Sequence, residues 1–457
     1  MLTVKGNNRR GSALLIVGLS MIVIVPAVGL AIDGADVYLV RVRLSQAVDA
    51  AALAGGRALV IGANDSAQTA NAKTTATEYF NANFPAGFLG TTNVTVSPSV
   101  IENNTSHYRS VVVTGSATAP VYFMGILKVT APVIQISATA TRRDVNCMLV
   151  LDRSYSMVMA NAIPDLQNAA ALFVNNYFAP GRDNVGLLTF GGATYLAYPM
   201  STNFLTGSPN VPGLIGQLVG GGGTNTSQAL SIAYQQLQAL NKPGALNVIV
   251  LFTDGRPTAF TADFQSLLTK NTGCDKTTSK LGFLTVYFNT VTWVPVSSNG
   301  IFQAYDSSIT DASDTTIAPH STGCAYYNNS ADVSQDVSAM PTQDYYGNST
   351  NDGYESVDLT QIGTPTQVQA ASVNAADSAG NRIRSDTTLY PVIMAIGLGG
   401  TDVYPPDPAF MQRLANTPTS TSFNSTQPAG YYVWAADKSQ LVQAFQQVGA
   451  QILRLSR

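Results

Sequence analysis

The apolar positions at the start of the chain predict one long helix. Residues 12–32 (SALLIVGLSMIVIVPAVGLAI) form an uncharged apolar run. At ~1.5 Å per residue, this run is long enough to cross the ~30 Å hydrocarbon layer of a membrane. Residues 35–60 are rich in alanine, keep helical spacing and contain no proline, so we expect them to extend the same helix. Residues 67–84 predict another helix.

Apolar and polar residues then alternate in three segments, 92–99, 109–118 and 129–141. This period of two is typical of half-buried strands. A helix followed by a few antiparallel strands makes residues 33–143 a small α+β module with a pilin-like outline.

From residue 144 to the carboxyl terminus, apolar runs alternate with helical patterns. Met148–Leu151 and Val248–Phe252 have the length and composition of buried parallel strands. The other predicted elements are helices at 163–178, 227–240, 368–384 and 438–455, and strands at 184–190 and 388–397. This order predicts an α/β fold, a doubly wound and mainly parallel sheet flanked by helices, over residues 144–457. Residues from 256 to about 366 form an insertion.

The charges favour an exported protein. Charged residues make up only 11% of the chain, against roughly 25% in typical soluble domains. The net charge is −3. The absence of a basic cluster in the sequence argues against nucleic acid as a partner. Basic residues precede the apolar run and acidic ones follow it, namely Lys5, Arg9, Arg10, Asp33 and Asp36.

The positive-inside rule therefore places residues 1–11 in the cytoplasm and the rest of the chain in the periplasm or outside the cell. A cleaved signal peptide is an alternative, because Gly29-Leu30-Ala31 could serve a signal peptidase. Arg10-Gly11 also resembles a prepilin start, but Ile16 stands where such pilins carry a glutamate. We expect a single-pass membrane anchor at residues 12–32.

Oxygen-bearing side chains follow both core strands. Asp152, Ser154 and Ser156 come after the first, and Asp254 ends the second, while Thr224 follows a run of glycines. Carboxyl ends of parallel strands share one edge of a sheet, where ligands bind. Carboxylate and hydroxyl oxygens suit Mg²⁺, with Mn²⁺ or Ca²⁺ as alternatives. The same residue types also serve as helix N-caps, which is the competing interpretation.

Asp-x-Ser-x-Ser, Gly-Gly-x-Thr-x-Thr and Thr-Asp-Gly in this order resemble a von Willebrand factor A domain with its metal-ion-dependent adhesion site. The resemblance implies that Ser154 and Ser156 ligate the metal directly. It implies that Asp152, Thr224 and Asp254 ligate it directly or through water. An open coordination position would then accept a carboxylate from a partner protein.

The order of parts resembles the TadG proteins of bacterial Flp (tight-adherence) pilus systems. Those parts are Arg10-Gly11-Ser12, the apolar run, the alanine-rich helix, the strand module and the A domain. Two segments of the carboxyl-terminal part, residues 407–416 and 427–432, also resemble that family. The resemblance covers nearly the whole chain except the insertion. It implies an envelope-anchored component of pilus assembly.

The insertion at 256–366 begins just after Asp254, at the edge of the sheet where the metal is predicted. It is rich in tyrosine, which favours a recognition surface, although a surface decoration with its own small core fits equally. Cys274 and Cys324 lie within it and could form a disulfide in an oxidising compartment. Cys147 is expected to be a buried apolar residue.

These features favour a protein that binds a pilus subunit or a surface protein through its metal. A structural scaffold of the pilus base, stabilised by the metal, is the alternative. A metal-assisted hydrolase is disfavoured, because hydrolysis needs a positioned base and no histidine, lysine or cysteine accompanies the motif. We therefore expect a protein that is not an enzyme and has no catalytic residues.

Overall fold

The computed structural model describes residues 9–192, 194–265, 279–287, 290–295, 301–302, 339–399 and 405–456. The chain divides into two compact units. The first comprises residues up to 62, 66–102 and 109–142, and the second comprises residues 63–65, 103–108 and 143–457. Cys274 and Cys324 lie outside the described residues, so their pairing stays a prediction.

The first unit is built on helix α1 (Arg9–Ala58), which continues without a break from the apolar run into the alanine-rich segment. Helix α2 (Asp65–Asn83) follows it. The strands β1 (Thr92–Asn103), β2 (Tyr108–Thr118) and β3 (Val133–Arg143) form a three-stranded sheet in the order β1-β2-β3. The expected helix-plus-strand module is therefore present.

One face of α1 lies in the core of this module. Its buried residues pack with apolar side chains of α2 and β2, and the cluster includes Val40, Leu44, Val48, Ala51, Phe80, Phe84, Val111 and Val113. Residues 16–32 of the same helix are mostly exposed and apolar. In the described part of the chain, α1 is the one helix long and apolar enough to cross a membrane, judged by length and composition.

The second unit contains a seven-stranded sheet. Its strands are β4 (Val145–Asp152), β5 (Asn184–Phe190), β6 (Thr194–Ser201), β7 (Leu246–Thr253), β11 (Ile301–Phe302), β12 (Val392–Leu398) and β13 (Tyr431–Ala435). Their order is β11-β6-β5-β4-β7-β12-β13. Neighbouring strands are parallel except at the antiparallel β5–β6 pair.

Helices cover both faces of this sheet. Helices α3 (Tyr155–Met159), α4 (Ile163–Tyr177), α5 (Val211–Ile215) and α9 (Leu441–Leu455) pack on one face. Helices α6 (Thr226–Leu240), α7 (Pro365–Arg384) and α8 (Pro408–Leu414) pack on the other. Successive side chains of β4 enter opposite cores, Leu149 and Leu151 one core and Met148 the other. The predicted doubly wound fold is confirmed.

The insertion contributes an antiparallel sheet of its own. Strands β8 (Ala259–Gln265), β9 (Ser279–Tyr287) and β10 (Thr290–Pro295) pair in the order β10-β9-β8. The two-residue strand β11, also within the insertion, joins the edge of the main sheet beside β6.

A row of asparagines crosses the start of the three central strands. Asn146 of β4 is level with Asn184 of β5 and Asn247 of β7. The Asn184 amide nitrogen donates to Asn146 Oδ1 at 2.9 Å, and the Asn146 amide nitrogen donates to Asn247 Oδ1 at 2.8 Å. All three side chains are buried, so the bonds of the row satisfy polar groups that water does not reach.

Candidate metal centre

Asp152 is the last residue of β4 and is fully buried. Its Oδ1 accepts a hydrogen bond from the backbone N–H of Ser154 at 2.7 Å. Its Oδ2 accepts one from the hydroxyl of Thr253, the last residue of β7, at 2.5 Å. The carboxylate is therefore held by the ends of two adjacent parallel strands.

Three further predicted ligands meet at the same edge. The Ser156 hydroxyl donates to Asp254 Oδ1 at 2.7 Å, and the Ser154 hydroxyl donates to the same oxygen at 3.4 Å. The two serine hydroxyls lie 3.0 Å apart. The side chains of Asp152, Ser154, Ser156 and Asp254 thus form one connected group, although Ser154 and Asp254 are 100 positions apart in sequence.

Backbone contacts pair the glycine run that precedes Thr224 with the loop that carries the two serines. Gly221 donates its N–H to the carbonyl of Arg153 at 2.6 Å, and Tyr155 donates its N–H to the carbonyl of Gly222 at 3.0 Å. Gly222 has a φ of +93°, a conformation that glycine adopts without strain. The loop that carries Thr224 is therefore paired with the loop that carries the two serines.

The first residues of the insertion hold Thr224 from the other side. The Thr224 N–H donates to the Thr258 hydroxyl at 2.9 Å, and the Thr224 carbonyl accepts from the Thr258 N–H at 2.9 Å. Val286 of β9 donates its N–H to the Thr258 carbonyl at 2.9 Å. A side chain on Gly223 would overlap the hydroxyl of Thr285. The insertion therefore begins against the glycine loop, as its position after Asp254 indicates.

Burial and mutual repulsion dominate the electrostatics of the two carboxylates. Burial raises the pKa of Asp152 to about 6, against the lowering effect of hydrogen bonds from Ser154 and Thr253 and of the nearby Arg153. Burial and the charge of Asp152 together raise the pKa of Asp254 well above its usual range. Two buried carboxylates that disfavour each other's charge are the surroundings that a divalent cation would relieve.

The donor set fits a hard cation. The carboxylates of Asp152 and Asp254 and the hydroxyls of Ser154, Ser156 and Thr224 offer only oxygen, which suits Mg²⁺, Mn²⁺ or Ca²⁺ better than softer metals. No group of three or more His, Cys, Asp or Glu side chains that could hold a metal occurs among the described residues. A metal at this edge would therefore depend on the hydroxyls as well as on the carboxylates.

Two threonines take part in this arrangement without having been singled out from the sequence. Thr253 fixes the Asp152 carboxylate, and Thr258 fixes the backbone of Thr224. Thr253 lies within the Thr-Asp-Gly motif, so its hydroxyl was a visible signal. Thr258 is not part of any of the motifs, and its partner Thr224 is thirty-four positions away in sequence.

Sequence comparison identifies two parts of the chain. Residues 147–256 match the von Willebrand factor type A domain family. Residues 11–58 match the Flp pilus-assembly TadE/G-like family. The first match spans all five predicted ligands, and the second covers most of α1.

Among curated proteins, YfbK of Escherichia coli is 30% identical over 112 residues, which are 24% of this chain and 18% of YfbK. Protein Rv0959 of Mycobacterium tuberculosis is 31% identical over 139 residues, 30% of this chain and 19% of that protein. The chain thus spans about a fifth of the length of these relatives.

Solved structures with a similar fold include the PilB minor pilin from Streptococcus sanguinis, at 15% identity and a TM-score of 0.40, with 80% of each chain covered. The von Willebrand factor domain of the type V pili tip protein Mfa5 from Porphyromonas gingivalis has 14% identity and a TM-score of 0.36, with 70% of this chain and 98% of that one covered.

The predicted resemblance is therefore confirmed for two segments of the chain. Residues 11–58 are similar to the TadE/G-like family of Flp pilus assembly, and residues 147–256 are similar to the von Willebrand factor type A domain family.

Proposed function

We propose that this chain is an envelope-anchored, metal-dependent protein-binding component of a bacterial Flp-type pilus system. Its cation would be held by Asp152, Ser154, Ser156, Thr224 and Asp254, and its partner would be a pilus subunit or a surface protein that offers a carboxylate. The TadE/G-like segment and the apolar helix α1 support an envelope location. The carboxyl-terminal bulk of the chain would lie outside the cytoplasm, following the positive-inside rule.

The observation that carries the proposal is the oxygen group formed by Asp152, Ser154, Ser156 and Asp254. These side chains come from the ends of two neighbouring strands, and hydrogen bonds hold them close to one another. Side chains fixed by such bonds need little further ordering to bind an ion.

Each residue would have a limited task. Asp152 and Asp254 would balance the charge of the ion, and the serine and threonine hydroxyls would complete its shell without adding charge. A bound cation would supply an open coordination position for a carboxylate. Thr253 would keep Asp152 in place, and Thr258 would keep the Thr224 loop in place.

Binding of pilus subunits to the full chain tests this proposal. The full chain, kept in lipid nanodiscs, is offered purified subunits in Mg²⁺, in EDTA, and in Mg²⁺ with Asp152→Ala. We expect binding in Mg²⁺ and loss of most of it in the other two conditions. Asp165→Ala is the matched control, because Asp165 is an exposed carboxylate on α4 whose ion pair with Lys438 is 4.0 Å long. Equal binding in all conditions would remove the metal from the mechanism.

A scaffold function predicts a different pattern. A cation that only stabilises the fold would raise the melting temperature by mass action, but subunit binding would then persist in a folded Ser154→Ala variant. Loss of binding in that variant, with an unchanged circular dichroism spectrum, would favour the adhesive function. Neither matched family is described as an enzyme, in agreement with a binding role.

A further inference from the structure

The loop between β2 and β3 exposes an unusual amount of apolar surface. Ile126 is 79% exposed and Tyr122 is 57% exposed. Phe123, Val129 and Val133 are also exposed large apolar side chains within the same few residues. Several exposed large apolar side chains in one short segment are typical of a contact with a partner or a membrane.

This loop is fixed to α1 where the apolar run ends. The buried carboxylate of Asp33 accepts hydrogen bonds from three successive backbone N–H groups, those of Tyr122 at 3.0 Å, Phe123 at 2.9 Å and Met124 at 2.6 Å. One helical turn earlier, Gly29 lies directly under Phe123, because a Cβ atom on Gly29 would come within 2.6 Å of the Phe123 side chain. The loop therefore covers the face of α1 that carries Gly29 and Asp33.

Other side chains of α1 at the level of this loop are exposed. Val28, Leu30 and Ile32 are exposed, so apolar helix surface and apolar loop surface stand side by side. Aromatic residues are enriched at the level where a helix leaves the membrane. Lys128, which is also exposed, could lay its alkyl chain on apolar surface while its charge reaches water.

We propose that residues 120–133 form a second membrane contact. In this arrangement Tyr122, Phe123 and Ile126 lie in the boundary between headgroups and acyl chains of the bilayer that α1 crosses. The occupant is lipid rather than protein because the exposed side chains continue the exposed surface of the membrane helix. The proposal rests on α1 as the membrane anchor and on nothing at the metal centre.

Asp33 explains how the loop could sit so close to the bilayer. A carboxylate near the hydrocarbon layer is unfavourable unless its charge is compensated. Three backbone N–H donors at the start of the short helical turn Met124–Leu127 supply that compensation. The loop thereby shields the acid while its own apolar side chains face outward.

Tryptophan fluorescence in vesicles tests the contact. The full chain is reconstituted in phosphatidylcholine vesicles, with or without bromine on the acyl chains, as the variants Ile126→Trp and Ile101→Trp. Ile101 is the matched control, since it is 56% exposed and lies at the far end of the β1–β2 hairpin, near the turn at residues 103–108. The native Trp293 and Trp434 give a background common to both variants.

We expect brominated lipid to remove most of the emission that Ile126→Trp adds and little of that added by Ile101→Trp. An unquenched Ile126→Trp would overturn the proposal, and a blue-shifted but unquenched emission would identify a protein as the occupant instead. Equal quenching of both variants would also contradict it, because the contact would then not belong to this loop. Vesicle flotation checks the anchor separately, and chains that fail to float would contradict both the anchor and the loop contact.

Discussion

At the scale of single residues, the main feature of the candidate metal centre is the burial of two carboxylates, Asp152 and Asp254, whose charges repel each other. The sequence predicted that the side chains of Asp152, Ser154 and Ser156 point to one place, because they occupy alternate positions in a loop after a strand. The structure adds the hydrogen-bond partners of these side chains, some of which come from distant segments. The pairing of Thr258 with Thr224 is such a contact, and no local pattern could have indicated it.

Replacement of Asp254 by Asn should have opposite effects with and without metal. In EDTA near pH 7.5 we expect the variant to have a higher free energy of unfolding, by roughly 1 kcal/mol or more, because a buried like charge beside Asp152 is removed. In Mg²⁺ the wild type should be the more stable protein, since the variant loses a ligand. Chemical denaturation in both buffers measures the two differences.

Asp165→Asn is the control for this substitution. Asp165 and Lys438 are both substantially exposed, and exposed ion pairs contribute little to stability. If Asp254→Asn is destabilised in EDTA as much as in Mg²⁺, repulsion between the carboxylates is not the dominant effect.

Among secondary-structure elements, the long and strongly patterned ones were predictable. Helices α4, α6 and α7 and strands β4, β5 and β7 lie within a few residues of their predicted positions. Strand β6 was not predicted, because it contains Pro199 and pairs with β5 through register shifts between Val185 and Leu188. Strands β11 and β13 are short, and their pairing depends on the rest of the sheet.

The asparagine row sets the register of the central strands. Shifting β4 against β5 or β7 would separate amides that now bond to one another, so the row disfavours every other alignment. Asn146→Leu would leave Asn184 and Asn247 each without one partner. We expect the free energy of unfolding to fall by about 2–4 kcal/mol, since each buried unsatisfied group costs about 1–3 kcal/mol. Urea denaturation measures this change.

Thr189→Val is the control for the row. Thr189 is buried on β5, and its hydroxyl has no hydrogen-bond partner among the residues that the structure describes. Removing that hydroxyl should change stability by less than about 1 kcal/mol. A similar loss of stability in both variants would show that replacing any buried polar side chain in these strands lowers the free energy of unfolding. The asparagine row would then have no specific effect.

At the scale of the whole molecule, a cation at the proposed site should slow amide exchange only in the segments that surround it. Hydrogen exchange of the full chain in Mg²⁺ and in EDTA tests this. We expect slower exchange in Mg²⁺ at residues 153–156 and 221–225, because a ligand that binds the folded state suppresses local opening around its site. The amides of α2 and β2 in the first unit should not change and serve as the internal control. Uniform protection of both units would point to a general salt effect.

The arrangement of the whole chain was predictable in outline because its parts have different periods. An uncharged run, an alanine-rich helix, alternating strands and buried strands can each be told apart in the sequence. The pairing of strand β11 was not predictable from the sequence, since its partner β6 belongs to the main sheet and not to the insertion. Val286 contacts Thr258 across an insertion loop, and Phe302 pairs with Tyr195 of β6.

Helix α1 is both the apolar run and the central core helix of the first unit. Its 50 residues include 26 beyond residue 32, which extend roughly 40 Å past the end of that run. Proline occurs within it only at Pro26, so no proline kink separates residues 33–58 from the module built around them. Hydrophobic mismatch is met partly by tilting of a helix. With α1 as the proposed membrane anchor, the first unit would consequently lean over as a whole in a thinner bilayer, and lipid thickness would influence how upright it stands.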